Sequence, residues 1–470
     1  MAGRRRHTHG TGTVLSAAEL FPPANLRHGG LVLLLLLLSG CVSYHPLPLR
    51  ASLPAQTHAD AQIAAALQHA HLPQRERLSI NPSRPLSGEA LGLIAVLLNP
   101  DLRAMRAQEG VAQAQVFAAG ILPDPQLSLS ADLPSNVAAG YYNAYNMALN
   151  WSLAALFTRP ADLDIARAQA RSVQYQVAWQ EWMVANQVRI LTRQLYYLEQ
   201  QEALARRAAV TTQRLYRASQ ENLQAGDATI TTATLRQIAW LDSQDRALAL
   251  ARQITKTRQD LNKLLGLPPE ATLTLVPPRL GATPTDPAAL VAKADHQRLD
   301  LLALRAGYQA QEARVRRSIL GQYPGFSIGL TKAADTSNIH TLGPSVSLDL
   351  PLWNRNRGAI AVAEATRGQL HAEYGARLFQ TRAEIYTLVA DLQRLAAEIA
   401  PLAREVPQLQ RAEERLRRAA SERNVTLIDY ESVRSQSLAK GLQLLALQQA
   451  YAEQQAALTM AVGSTWKGQP

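Results

Sequence analysis

One pattern is written into this chain twice, and that duplication limits its possible folds more than any other feature. Asn99-Pro100-Asp101-Leu102-Arg103-Ala104-Met105-Arg106-Ala107 recurs as Arg298-Leu299-Asp300-Leu301-Leu302-Ala303-Leu304-Arg305-Ala306. At the same offset, Pro125-Gln126-Leu127-Ser128-Leu129 recurs as Pro324-Gly325-Phe326-Ser327-Ile328. Ile165-Ala166-Arg167-Ala168-Gln169-Ala170 returns as Ile360-Ala361-Val362-Ala363-Glu364-Ala365, and Ala228-Thr229-Ile230-Thr231 as Val425-Thr426-Leu427-Ile428. A unit of about 200 residues is far longer than any solenoid repeat. The chain therefore builds its structure from two similar halves.

Each half contains a pair of alternating runs. Leu127, Leu129, Ala131 and Leu133 alternate with Ser128, Ser130 and Asp132. Tyr145, Met147, Leu149, Trp151 and Leu153 alternate with Asn146, Ala148, Asn150 and Ser152. In the second half Phe326, Ile328 and Leu330 alternate with Ser327, Gly329 and Thr331, and Leu342, Val346, Leu348 and Leu350 with Gly343, Ser345, Ser347 and Asp349. Period two over such lengths predicts strands, here as pairs within 126–155 and 323–350. Each run is long enough to cross a bilayer, with one apolar face and one small, polar face. Lipid would then meet Leu127, Leu129, Leu149, Trp151, Phe326, Ile328, Leu348 and Leu350. An ordinary soluble sheet shows the same alternation, so the choice rests on what flanks the strands. Four strands cannot close a membrane barrel, whose smallest examples use eight, so several chains must contribute.

Very long helical stretches follow each strand pair, over 157–222 and 354–421. Val184, Val188, Leu191, Leu195 and Leu198 step by fours and threes, as do Leu392, Leu395, Ile399, Leu402, Val406 and Leu409. That is a heptad seam, and it predicts coiled-coil pairing. Some 65 residues of helix reach roughly 100 Å. Pro401 and Pro407 are expected to kink or break the second stretch. Turns at Gln224-Ala225-Gly226-Asp227 and Glu422-Arg423-Asn424 lead into returning helices over 229–266 and 427–463. A single helix is expected over 87–120. Ala, Leu, Gln and Arg dominate the 470 residues and aromatics are 5%, which favours long helices over compact mixed domains.

The N-terminal region reads as a leader. Arg4, Arg5, Arg6 and Arg27 precede the apolar run Leu31–Leu38, which is too short to span a bilayer but suits a signal peptide. Leu38-Ser39-Gly40-Cys41 resembles a bacterial lipobox, with Cys41, the only cysteine, as the acylated residue. A buried or free thiol is the alternative. Val42 is not Asp, and by resemblance to lipoprotein sorting this implies the outer membrane. The leader is long ahead of its apolar run, which motivates the hypothesis of translation starting at Val14 or Leu15. Loss of expression on mutating the Met1 codon would refute it. The expected organisation is a signal peptide over 1–40 and a proline-rich segment over 41–86, with a short helix near Ala59–Gln68. A first repeat over 87–266, a linker over 267–287 with six prolines, a second repeat over 288–465 and a tail over 466–470 complete it.

These features together resemble the TolC-type outer-membrane efflux channels, in their lipoprotein branch. The resemblance is carried by Gly120-Ile121-Leu122-Pro123-Asp124-Pro125-Gln126-Leu127-Ser128 and by Leu261-Asn262-Lys263-Leu264-Leu265-Gly266-Leu267-Pro268. It is also carried by Leu350-Pro351-Leu352-Trp353-Asn354-Arg355-Asn356-Arg357-Gly358, which looks like the family's strand-to-helix junction. Leu156-Phe157-Thr158-Arg159-Pro160 in the first half departs from that junction. The resemblance implies a mainly α fold with a membrane β-barrel. Three chains would make a twelve-stranded barrel on an α-helical tunnel through the periplasm. It implies a passive conduit in the Gram-negative outer membrane, serving a periplasmic adaptor and an inner-membrane pump. Leu302-Ala303-Leu304-Arg305-Ala306-Gly307-Tyr308-Gln309-Ala310-Gln311-Glu312-Ala313 is similar to members served by resistance–nodulation–division pumps. The rival class is a periplasmic coiled-coil or adaptor lipoprotein, which would carry one helical hairpin where this chain has two.

No catalytic constellation, phosphate loop or cofactor motif is present, so neither an enzyme nor a cofactor protein is expected. His69 and His71 are a lone pair with no cysteine or carboxylate cluster to complete a metal site. The net charge of +11 is spread among acids along helices rather than gathered into a nucleic-acid patch. In the family, acidic residues after the second hairpin's turn ring the tunnel's narrow end. Asp429 falls on that position, with Glu431 nearby, so both are candidate gate residues. A ring of carboxylates in a narrow pore would concentrate cations. The plainer role for Asp429 is an acid favouring a helix N-terminus.

Overall fold

A computed structural model describes residues 44–49, 59–69, 81, 84–135, 141–422 and 424–464. Cys41, the 1–40 leader, His71 and the 466–470 tail lie outside the described residues. The chain divides into two compact units, Met1–Gln56 and Thr57–Pro470. Residues 44–49 of the first form no helix or strand, and every described element belongs to the second.

In chain order the elements are α1 (Ala59–His69), α2 (Gly88–Leu98), α3 (Pro100–Gly120), β1 (Gln126–Asp132), β2 (Ala144–Ser152), α4 (Ala154–Ala225) and α5 (Ile230–Leu265). The second half gives α6 (Pro287–Gln297), α7 (Leu299–Leu320), β3 (Gly325–Ala334), β4 (His340–Asp349), α8 (Arg357–Ser421) and α9 (Leu427–Val462). The strands form one antiparallel sheet in the order β1-β2-β3-β4. The helices repeat that order. Nearest the sheet, α3, α4, α7 and α8 lie side by side; further along, α5, α4, α9 and α8 do. With 72 residues, α4 is roughly 110 Å long and runs through both tiers.

The tiers meet at two junctions that repeat the sequence duplication. The sequence predicts one helix over 87–120, but the structure breaks it at Asn99. Pro100 suits the first position of a helix but disfavours helical geometry in the residue before it. Asn99 therefore leaves the helix and caps α3, its Oδ1 accepting from Leu102 N at 3.0 Å. Its Nδ2 donates to the Leu264 carbonyl at 2.9 Å, at the end of α5. In the second half, Arg298 takes that place and donates to the Ala461 carbonyl of α9 at 2.7 Å. Each returning helix ends in a left-handed glycine, Gly266 (φ 67°) or Gly463 (φ 73°). A Cβ on Gly266 would stand 2.7 Å from the Leu98 carbonyl oxygen, and one on Gly463 3.0 Å from Arg298 Cα. Glycine satisfies both the turn and the close approach of the next helix.

Each half also has its own core. Ile63, Leu91, Ile94, Val188, Leu195, Leu261 and Leu265 join α1, α2, α4 and α5. Leu290, Ile385, Val389, Leu392, Leu458 and Val462 join α6, α8 and α9. Residues 267–286 form no helix and pair at one bridge, Leu86 with Leu275, while Pro287, expected as the last linker residue, begins α6. Of the kink or break expected at Pro401 and Pro407, no break occurs: α8 runs as one helix through both. Both prolines are exposed, while the seam residues Leu392 and Val406 are buried. The rings face away from the partner helix, and packing on either side carries the helix past the missing donors.

Candidate functional site

The sheet and the hairpin tips carry features that a helical bundle does not require. Residues paired directly across an antiparallel sheet project to the same side. The register sets Leu127, Leu149, Leu330 and Pro344 in one row, and Leu129, Met147, Lys332 and Leu342 in the next. Trp151, Ile328 and Val346 continue that face, with Phe326 beside Leu348. The opposite face carries Ser128, Ala148, Thr331 and Gly343, then Asn150, Gly329 and Ser345, then Ser152, Ser327 and Ser347. The two faces of this thin sheet therefore suit two different solvents.

The residues read as lipid-facing stand on the first of these faces. Leu127, Leu129, Leu149, Ile328 and Leu348 are exposed, Trp151 and Phe326 half-buried. Leu350 is exposed one residue past the end of β4. Aromatic groups mark both ends of β2. Trp151 Nε1 donates to the Pro123 carbonyl at 2.8 Å on the helix side. Tyr145 lies with its hydroxyl 3.3 Å from His340 Nδ1 at the other end. Sequence reading missed Lys332, which shares the apolar face at that far end. The alternation predicts its side, and its long stem can lie along apolar surface while its ammonium reaches water.

The two strand-to-helix junctions are held differently. In the first half Arg159 Nε donates to the Gly120 carbonyl at 2.8 Å. In the second, Arg355 (φ 44°) and Asn356 (φ 53°) are both left-handed, and Asn356 Nδ2 donates to the Ser318 carbonyl at 2.6 Å. Gly321 leaves room for it, since a Cβ there would lie 3.1 Å from Asn356 Cγ.

At the tip of the second hairpin, Thr426 caps α9. Its Oγ1 accepts from Asp429 N at 3.1 Å and donates to Asp429 Oδ2 at 2.6 Å. Asp429 is exposed. In the first half Thr229 accepts from Thr232 N at 3.2 Å, so a hydroxyl stands where Asp429 has its carboxylate. The acid belongs to one tip only.

Glu431 is not brought to Asp429. It is 5% exposed, its Oε1 3.7 Å from Arg434 Nη1 and its Oε2 without a partner among the described residues. Burial pushes its carboxyl above the usual range, and Glu413 on α8 adds to this, while Arg434 and Arg214 on α4 oppose it. Arg434 also pairs with Glu413 at 3.5 Å. The i,i+3 spacing of Glu431 and Arg434 was visible in the sequence; the arrival of α4 and α8 around them was not. Among the described residues no three His, Cys, Asp or Glu side chains gather as a metal site, and no helix is long and apolar enough to cross a membrane.

The sequence profile of the outer membrane efflux protein family matches residues 94–267 and 290–464. No curated protein sequence matches the chain. Among solved structures the chain is similar to the outer membrane protein VceC of Vibrio cholerae. That pair has 19% identity and a TM-score of 0.64, covering 81% of this chain and 97% of that one. It is similar to the CmeC outer membrane channel of Campylobacter jejuni, at 13% identity and TM-score 0.65, over 89% and 94% of the chains. The open state of the MtrE channel of Neisseria gonorrhoeae matches at 15% identity and TM-score 0.60, over 80% and 89%. At these identities the likeness is one of fold.

Proposed function

Because this chain belongs to the outer membrane efflux protein family, we propose that three copies of its sheet close into one twelve-stranded barrel above a helical tunnel. The protein is an outer-membrane efflux channel of a tripartite efflux system, and it is not an enzyme. Channels of this family form trimers in the Gram-negative outer membrane.

The observation that carries the barrel reading is the two-faced sheet with two unpaired edges. Strands β2, β3 and β4 have 9, 10 and 10 residues, the length of a tilted membrane strand. Among the described residues strands β1 and β4 each lack one neighbour, and closure around a ring of copies is what removes such edges. The outermost helices of the wall support the same assembly. Exposed apolar residues stand on α3 (Val111, Phe117), α5 (Leu235, Leu241) and α8 (Val362, Phe379). A neighbouring copy would cover them. The apolar face then meets lipid and the Ser/Asn/Gly face lines a water-filled lumen.

Around this frame, Cys41 is the lipid anchor. The tips dock on a periplasmic adaptor that links the tunnel to an inner-membrane pump of the resistance–nodulation–division type. Asp429 from three copies lines the narrow end of the tunnel. Purified protein in planar bilayers, with its mass in detergent, tests the core of this reading. A trimer with stepwise ohmic conductance is the expected result. A monomeric, non-conducting protein would overturn it.

A further inference from the structure

An open groove of about 750 Å³ runs over α3, α4 and α7, well away from the tips. Three arginines line it: Arg167 and Arg171 on α4 and Arg316 on α7. The helical spacing explains why they converge. On α4, Asp164, Arg167 and Arg171 step by three and four, and on α7 Gln309, Ala313 and Arg316 step by four and three, so each set lies on one face. The floor is made of the buried alanines Ala168 and Ala313, which leave the space open.

These arginines differ from their neighbours. Arg305 and Arg317 on α7 are tied to Tyr374 and Asp162, and Arg314 reaches Gln169 and Gln311. Arg159 on α4 holds the Gly120 carbonyl. Among the described residues none forms a hydrogen bond or ion pair with Arg167, Arg171 or Arg316. The three guanidinium groups that point into the groove are the ones left without a partner. One carboxylate, Asp164, offsets part of their charge, leaving the groove doubly positive.

We propose that this groove binds a small, soluble, phosphate-bearing dianion. Guanidinium groups present planar forks of donors that match phosphate oxygens, and a doubly positive site matches a phosphate dianion in charge. The position selects a soluble ligand over a lipid headgroup. Asp164 lies ten residues into α4 and Arg171 seventeen, which puts the groove about 15–25 Å from the sheet. The headgroup layer of a bilayer is only about 5–8 Å thick on each side. The groove is also complete within one copy, because α4 is flanked in the wall by α3 and α7 of the same chain. The inference is independent of what the channel exports.

The test is calorimetric titration of the full-length protein, in a detergent with an uncharged headgroup, with inorganic phosphate at fixed ionic strength. Wild type should bind saturably. R167Q/R171Q/R316Q should weaken binding by at least about tenfold, and D164N should tighten it about threefold. R316Q alone removes an exposed side chain with no partner, so it keeps the test valid if the triple variant fails to assemble; it should weaken binding about threefold. A second arm uses nanodiscs of anionic phospholipid without free phosphate. Absence of saturable phosphate binding, unchanged affinity in the arginine variants, or occupancy by lipid phosphate alone would each overturn the assignment.

Discussion

Arg106 and Arg305 do the same job in the two halves of the chain. Arg106 Nη2 donates to the Val96 carbonyl at 2.6 Å, and Arg305 Nη2 to the Asp295 carbonyl at 2.8 Å. Each thereby satisfies a carbonyl near the end of the short helix preceding its own. Each Nε then reaches the long helix of its own half, meeting Glu181 Oε1 in one case and the Tyr374 hydroxyl in the other, both at 2.7 Å. The duplication thus extends to single hydrogen bonds, while the long-helix partner has diverged from an anion to a neutral group.

Replacing either arginine with alanine should cost about 1–3 kcal/mol, because an orphaned carbonyl joins the lost charged bond. The salt dependence should separate them. Raising ionic strength should narrow the gap between wild type and R106A and leave R305A little changed, since only Arg106 has a carboxylate partner. Thermal unfolding at two salt concentrations reads this out, and identical salt responses would count against it.

The two faces of the sheet should respond oppositely to charge. L129R places a cation on the apolar face and should cost about 2–4 kcal/mol if that face meets mid-bilayer lipid. S128R, one residue away on the other face, should be tolerated. The yield of assembled trimer from outer membranes measures both, and equal losses would remove the case for lipid on one side only.

Gly329 sits where the polar face is tightest. A Cβ there would stand 2.7 Å from the Leu149 carbonyl oxygen and 2.6 Å from Ser345 Oγ, and it would also clash with Asn150 Oδ1. G329A should therefore destabilise the sheet by about 1–3 kcal/mol through overpacking. G343A, in a position open on all sides, should be much milder. Denaturation of the purified proteins compares the two.

Glu431 makes the second tip pH-sensitive. Its folded carboxyl is raised chiefly by burial, so the protonated form is favoured by folding. Its stabilising contribution is complete below the unfolded value of about 4.3 and is lost as pH rises through the raised folded value. The tip should be firmer in mild acid than at neutral pH. E431Q should firm it at neutral pH and flatten that part of the profile. Hydrogen exchange of α9 amides between acid and neutral pH checks this. A softer tip in E431Q at neutral pH would mean that the Arg434 pair outweighs burial.

Asp429 carries the gate reading. D429A should weaken a block by multivalent cations applied from the periplasmic side and shift ion preference, with the trimer intact. Losing its share of the Thr426 cap should cost no more than about 1 kcal/mol. Single-channel recording decides between the pore role and the capping role; an unchanged block would leave only the cap.

Legibility in the sequence followed the range of the physics. The alternation that makes β1–β4 and the seam through Leu195 and Leu392 are local and periodic, and both stood out. The break at Asn99 was also written locally, as an N-cap asparagine before a proline, but the longer apolar pattern on both sides masked it. Pro401 and Pro407 do not break α8 because a proline's cost depends on which face it occupies, and that face is set by the packing of α9. Glu431 was read as a neighbour of Asp429 along the chain, yet its surroundings come from α4 and α8. Its burial could not be seen until three distant segments met.

Strands β2 and β3 join the two halves at the register Ser152↔Ser327 through Tyr145↔Ala334, eight consecutive backbone pairs. Toward the far end, among the described residues, the halves meet through packing of α4 against α9, with Ala205, Ala247 and Leu442 in one cluster. The tight join thus lies in the sheet, and the looser one toward the tips. Small angular play at the sheet becomes a large displacement some 100 Å along the helices. In the proposed trimer, a force applied at the tips would act through the longest available lever while leaving the β2–β3 register unchanged.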